Sequence, residues 1–147
     1  MLNKFKFLAR FGAFLVLTSL VLGGCFSTNS AEVGKKAPQL SAKNLAGEAV
    51  NFDENKVVVL VFFEKGCAAC IQELPLLDEF AFEQKDKLQA IAINSVDEMP
   101  SILVLREQYA LYNIILAKDD LDISWQRYEI FALPTTIIIK NGVIVER

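Results

Sequence analysis

Seven apolar residues in unbroken succession, Val57-Val58-Val59-Leu60-Val61-Phe62-Phe63, are the strongest constraint in this sequence. Their length and β-branching predict a strand buried on both faces, and such a strand needs a layer of structure above and below it. A few residues later the period changes. Cys70, Leu74, Leu77 and Ala81 recur at helical spacing and make one apolar stripe. Pro75 falls inside that helix and removes the bond to the carbonyl of Ile71, so a kink is expected there. A buried strand that runs into a helix is the opening of a layered α/β structure, and Cys67-Ala68-Ala69-Cys70 lies at the junction.

The rest of the chain agrees with that opening. Ala37-Pro38-Gln39-Leu40 begins the domain, and Leu40 to Phe52 reads as a hairpin-like excursion turning near Asn44-Leu45-Ala46-Gly47. Leu88 to Ile93 repeats the buried-strand signal and ends at Asn94-Ser95. Pro100 to Tyr109 is a helix with proline at its start, where a missing N–H is harmless. Ile114 to Ala117 is a short strand and Leu121 to Tyr128 a short helix. Thr135 to Ile139 and Val143 to Val145 are strands joined by Asn141-Gly142, a two-residue hairpin signal. Strand, helix, strand, helix and then an antiparallel hairpin predict an α/β sandwich with a mixed sheet flanked by helices. Neither an internal repeat nor a low-complexity stretch is present.

At 147 residues there is room for one domain, yet 53% of the residues are apolar. Part of that excess sits at the N-terminus. Lys4, Lys6 and Arg10 precede a run without charge from Phe11 to Leu22. The run is too short to cross a hydrocarbon core, which takes about 20 residues, but it has the length and basic flank of a signal-peptide core. Leu22-Gly23-Gly24-Cys25 follows and resembles the lipobox of bacterial lipoprotein signals, in which the cysteine is lipidated. Residues 1–24 are therefore expected to be a signal peptide, 25–36 the lipidated Cys25 with a tether, and 37–147 the folded domain. The competing reading is a secretory signal cut elsewhere, with Cys25 a spare thiol. Removing residues 1–24 takes the formal net charge from −3 to −6. The expected location is a bacterial membrane, with the domain facing the periplasm or the cell exterior, where disulfides persist.

Histidine is absent from the whole sequence, which removes imidazole bases and most zinc and copper sites. A weakly acidic chain without basic clusters in its body is not a nucleic-acid binder. What remains is sulfur. Cys67 would stand at a helix N-terminus, where backbone N–H groups and the helix dipole stabilise a thiolate. Cys70, almost one turn further in, would then attack a mixed disulfide formed at Cys67. Two blander readings compete: a structural disulfide, whose short loop adds only about 2 kcal/mol in the chain-entropy model, and half of a metal site. Only carboxylates could complete such a site, so no metal and no cofactor is expected.

Cys67-Ala68-Ala69-Cys70-Ile71-Gln72-Glu73-Leu74-Pro75 resembles the CxxCxxExP run of membrane-anchored thioredoxin-like proteins of the TlpA/ResA type. The resemblance extends over residues 34–147. Gly34 to Leu40 is similar to the family's Gly-x-x-Ala-Pro opening, and Leu133-Pro134-Thr135-Thr136 to the loop that carries its cis-proline. It implies a thioredoxin-like fold and a thiol–disulfide oxidoreductase that reduces protein disulfides outside the cytoplasm. Apocytochrome c is among the clients it implies, and a membrane dithiol donor would be the electron source. It also implies that Glu73 tunes the cysteines or relays their proton, against the plain alternative of a solvated helix glutamate. Pro134 would be cis beside the sulfurs, with the Leu133 backbone pairing with an extended substrate segment; a trans proline closing the loop is the alternative.

Departures from the family pattern are as informative. Gly66 replaces the tryptophan that usually precedes the first cysteine, Glu64-Lys65 brings charge to the same place, and Ala68-Ala69 lacks the usual proline. Val61 stands where cytoplasmic thioredoxins keep a buried acid, leaving Glu73 as the candidate for that role. The resemblance implies a helix after the last hairpin. Arg147 instead follows Val143 to Val145 directly, so the fold is expected without that helix and with Ile137, Ile139, Val143 and Val145 partly uncovered. Three functions can be compared. The oxidoreductase accounts for the cysteine pair. A thiol peroxidase would need threonine three residues and proline seven residues before the reactive cysteine, where this sequence has Glu64 and Leu60. A non-catalytic binding module presenting client proteins at the membrane is the third.

Overall fold

The computed structural model describes residues 31–147. Its elements are β1 (Lys43–Asn44), β2 (Val57–Phe62), α1 (Ala68–Glu83), β3 (Leu88–Asn94), α2 (Met99–Tyr109), β4 (Ile115–Lys118), α3 (Ile123–Arg127), β5 (Thr135–Lys140) and β6 (Val143–Glu146). One mixed sheet holds the strands in the order β1-β4-β3-β2-β5-β6. The apolar run forms the interior strand β2, parallel to β3 on one side and antiparallel to β5 on the other. The α/β architecture expected from the sequence is the one observed.

Side-chain alternation along the strands sorts the core into two layers. Val58, Leu60 and Phe62 point to one face, and Val59, beneath α1, to the other. On β3 the alternation is also one of size. Ala90 and Ala92 lie under the helices, whereas Ile91 and Ile93 fill the opposite layer. Small residues let α1 and α2 approach the sheet. The other face is covered by the irregular segment 31–52 and short α3, so larger side chains are needed to fill it. There Phe62 stacks edge-on against Trp125 at 5.6 Å and lies 5.5 Å from Tyr128. Such pairs contribute about 1 kcal/mol beyond the area they bury. The Tyr128 hydroxyl donates to the Pro38 carbonyl at 2.6 Å, and burial holds its phenol well above the usual range.

Asn141 and Gly142 both take positive φ (51° and 73°), as a tight turn between β5 and β6 requires. Beyond β6 the sheet is extended by a segment expected as tether. Gly34 donates to the Ile144 carbonyl, Ile144 to that of Lys35, and Ala37 to that of Gly142, at 2.8–2.9 Å. Ala31 is fully buried, and Arg147 donates to its carbonyl at 2.9 Å and to that of Glu129 at 2.7 Å. Residues 31–36 are thus laid against the sheet edge, which would otherwise present unpaired backbone groups.

This arrangement corrects the expected exposure of the last hairpin. Ile137 and Ile139 are buried, because Ala31, Ala37, Tyr128 and Ile130 cover their face. It is Val145 that stands exposed, with Ile138 and Val143 half-buried. Pro75 lies inside α1, as expected, and the helix runs on through to Glu83.

Two boundaries differ from expectation for a reason the apolar pattern does not carry. Asp78 on α1 is nearly buried and accepts from Asn113 N at 2.8 Å, Asn113 Nδ2 at 2.7 Å and Ile114 N at 3.1 Å. Ile114 is thereby held by the helix, and β4 starts one residue later. Buried Asp119 accepts from the N–H groups of Ile123, Ser124 and Trp125, which sets the start of α3. Replacing Asp78 by alanine takes the acceptor from three donors, one of them the amide of buried Ile114, and is expected to lower stability by about 2 kcal/mol. Asp78→Asn, which keeps an acceptor, should lose clearly less. Denaturant midpoints decide this, and an alanine variant as stable as the parent would show that the carboxylate does not hold α1 to β4.

Candidate active site

Phe62 is paired with Thr135 where β2 ends, so the chain leaving β2 and the chain arriving at β5 meet at one end of the sheet. The Cys67 amide donates to the Glu64 carbonyl at 3.2 Å, and Cys67 then caps α1 in an extended conformation (φ −87°, ψ 102°). Its sulfur takes the place of a capping oxygen and accepts from Cys70 N at 3.2 Å. Cys67 and Cys70 are joined as a disulfide, with their Cα atoms 5.3 Å apart. The two sulfurs are not equivalent. Cys70 has 0% exposure, whereas Cys67 is half-buried between exposed Gly66 and Ala68. An incoming thiolate therefore has access to Cys67, and the amide facing that sulfur is placed to stabilise charge appearing on it.

Leu133, Pro134 and Glu73, also singled out in the sequence, lie on segments that border this pair. The Leu133–Pro134 peptide is cis, and Leu133 packs against both layers of the core, as Cys67 does against the layer holding Cys70. Glu73 is half-buried and accepts a hydrogen bond from Thr136 Oγ1 at 3.1 Å, linking α1 to β5. Thr136 is the register partner of Val61. A carboxylate reaching from the helix thus sits at the strand pair where Val61 leaves no acid of its own. Cys25 lies outside the described residues.

Asn94 and Asp97 were not singled out, yet they set the loop beside the disulfide. Asn94 is fully buried, and its side chain accepts from the amides of Val96 and Asp97 and donates to Asp97 Oδ2 at 2.8 Å. The same Asp97 oxygen accepts from Lys65 N at 2.6 Å, holding the approach to Cys67 against the end of β3. The signal available in the sequence is the pair Asn94-x-x-Asp97 directly after a strand, a spacing at which such side chains bond to nearby backbone. Gly66 has no positive φ, and a Cβ placed on it would meet only Glu64 Oε1, at 3.6 Å. The glycine makes the approach open without being required by the backbone.

Comparison with known proteins agrees with this geometry. The sequence model of the AhpC/TSA family matches residues 33–147. The thioredoxin-like protein YneN of Bacillus subtilis (strain 168) is 30% identical over 118 residues, 76% of this chain and 68% of that protein. Among solved structures, a thiol:disulfide interchange protein from Bacteroides sp. superposes with a TM-score of 0.68 at 25% identity, covering 78% of this chain and 79% of that one. The thioredoxin domain of a thiol-disulfide oxidoreductase from Bacteroides vulgatus gives a TM-score of 0.68 at 25% identity, over 79% and 87% of the two chains. The fold is thioredoxin-like.

The inequality of the two sulfurs is directly measurable. In the reduced, native chain, iodoacetamide should label Cys67 at least about tenfold faster than Cys70, since reactivity follows access and thiolate character. Peptide mass mapping over a time course reads the two rates. Equal rates would mean that α1 does not seal Cys70.

Proposed function

Because the chain belongs to the AhpC/TSA family and is a thioredoxin-like thiol–disulfide oxidoreductase, we propose that Cys67 and Cys70 are its redox pair. It reduces protein disulfides outside the cytoplasmic membrane, held there by a lipid on Cys25. The observation that carries this reading is the disulfide at the start of α1, with one sulfur accessible and the other sealed. Within the family, the run from Cys67 to Pro75 supports the TlpA/ResA type, with apocytochrome c as a client.

In the reduced protein, the Cys67 thiolate attacks one sulfur of the client disulfide. A Cys67–client bond forms, the client bond breaks, and the released client sulfur takes up a proton. Cys70 then gives up its proton and attacks Cys67 Sγ; the Cys67–Cys70 bond closes, the Cys67–client bond breaks, and the second client sulfur takes up a proton, leaving the client as a dithiol. Two electrons pass from this chain to the client. Glu73, three residues beyond Cys70 and anchored on Thr136, is the base within this site to which we assign the Cys70 proton. The Leu133 backbone, ahead of Pro134, offers an edge along which an extended client segment pairs. A membrane dithiol donor returns the pair to its reduced form. Peroxidase chemistry is disfavoured, since Glu64 and buried Leu60 occupy the positions where it needs threonine and proline.

The full chain purified in neutral detergent tests this assignment. Cys67→Ser is expected to abolish reduction of a disulfide substrate by dithiothreitol through the protein. Cys70→Ser should accumulate clients as mixed disulfides on Cys67, visible as reductant-sensitive bands on a gel. If the parent chain neither reduces a small disulfide nor accepts electrons from dithiothreitol, the binding-module reading replaces this one. For the anchor, Cys25→Ala should shift the protein out of the membrane fraction; an unchanged distribution would remove the lipid from the account.

A further inference from the structure

Loops at the ends of β4, β3, β2 and β5 stand side by side at the disulfide end of the sheet. The first three are tied together. Lys118 Nζ donates to the Ser95 carbonyl, the Ser95 hydroxyl to Asp122, and the Lys65 amide to Asp97, each at 2.6 Å. With strands about 4.8 Å apart, the row is roughly 14 Å long. Each of the other three loops in the row holds an apolar side chain out in solvent: Leu121 at 72% exposure, Val96 at 60% and Phe131 at 92%. Single exposed apolar residues are ordinary, but one on each of these loops along the same end of the sheet forms a surface.

Charge on this surface has one dominant sign. Exposed Asp120 and Asp122 bracket Leu121, Glu98 lies two residues from Val96, and Glu129 two residues from Phe131. The positive groups nearby are mostly turned elsewhere. Lys118 is buried with its ammonium on the Ser95 carbonyl, Arg127 reaches to the Gln39 carbonyl at 2.8 Å, and Arg147 is held on the carbonyls of Ala31 and Glu129, leaving Lys65 beside the disulfide and Lys43 at the far edge, opposite Lys118. At the opposite end of the sheet the turns mix exposed Lys85, Lys87 and Lys140 with exposed Glu54 and Asp86. The acidic character therefore belongs to the disulfide end.

We propose that this site takes an extended, cationic polypeptide segment with apolar side chains, laid across the row from Leu121 to Phe131 over Cys67. The proposal rests on the oxidoreductase reading above and specifies its client. Apolar side chains supply the contact, and the carboxylates steer and align a segment rich in lysine or arginine. A second copy of this chain would bring acid against acid. An anionic lipid surface would meet the same repulsion. Charge complementarity leaves the cationic segment as the occupant.

Two synthetic peptides with the same internal disulfide form the probe, one flanked by lysine and phenylalanine, the other by glutamate and phenylalanine. With the full chain in neutral detergent at low ionic strength, kcat/KM for the cationic peptide should exceed that for the acidic one by at least about tenfold. The ratio should shrink toward unity in about 0.5 M salt. Glu98→Gln, Asp120→Asn and Glu129→Gln combined should remove most of the ratio, and Phe131→Ser should lower kcat/KM for both peptides alike. Both variants should reduce a small neutral disulfide at the parent rate, which also shows that they fold. Equal rates for the two peptides, or a ratio that survives the triple substitution, overturns the proposal and leaves the oxidoreductase standing. Failure of the parent chain to reduce the small disulfide overturns that underlying reading instead, and the two failures cannot be confused.

Discussion

Everything in this fold answers to the need to cover both faces of β2. A strand made of Val57 to Phe62 has no face that tolerates water, so α1 and α2 must lie on one side and the segment 31–52 with α3 on the other. Burying each of those side chains contributes about 1.5–3 kcal/mol, and the strand's position between β3 and β5 makes that burial complete over most of its length. The disulfide inherits its place from this. β2 ends against the start of β5, and the chain must turn at once into the helix that covers it. Cys67 is consequently fixed by the same packing that forms the core.

What could be read from the residues was whatever repeats at a short period. The continuous apolar run gave away β2, the i, i+4, i+7 stripe gave away α1, and Asn141-Gly142 gave away the last turn. The cis state of Pro134 was reached by family resemblance, because Leu-Pro-Thr-Thr has no local feature that dictates it. Asp78 escaped because it lies on the buried side of α1 while a search for apolar stripes passes over a carboxylate. Its value appears only when Asn113 and Ile114 arrive from thirty-five residues away to bond it. The cover over Ile137 and Ile139 escaped for the same reason on a longer scale. Residues 31–36 look like a polar leader until β6 offers them an edge.

The site divides in the same manner. The cysteines and their unequal exposure follow from a helix start at a strand end, which local pattern reveals. The Asn94–Asp97 loop that steadies Lys65, and the bond between Glu73 and Thr136, join segments from different strands. Those contacts belong to the sheet order, with β5 inserted beside β2 although far from it in sequence, and a linear pattern holds no trace of that order.

The clamp made by Arg147 joins the carbonyls of Ala31 and Glu129, and its span to Ala31 is 116 residues. Synthesis proceeds from Ala31 toward Arg147, so the segment 31–37 is made first and finds no place until residues 142–147 emerge. During that interval the layer holding Leu60 and Phe62 lacks part of its cover. Long-range closure of this kind is slow compared with forming α1 or α2, and an open apolar face is prone to association with other chains. Seating of the segment 31–37 is therefore a late event, and until then that layer depends on its surroundings to keep it apart from other chains.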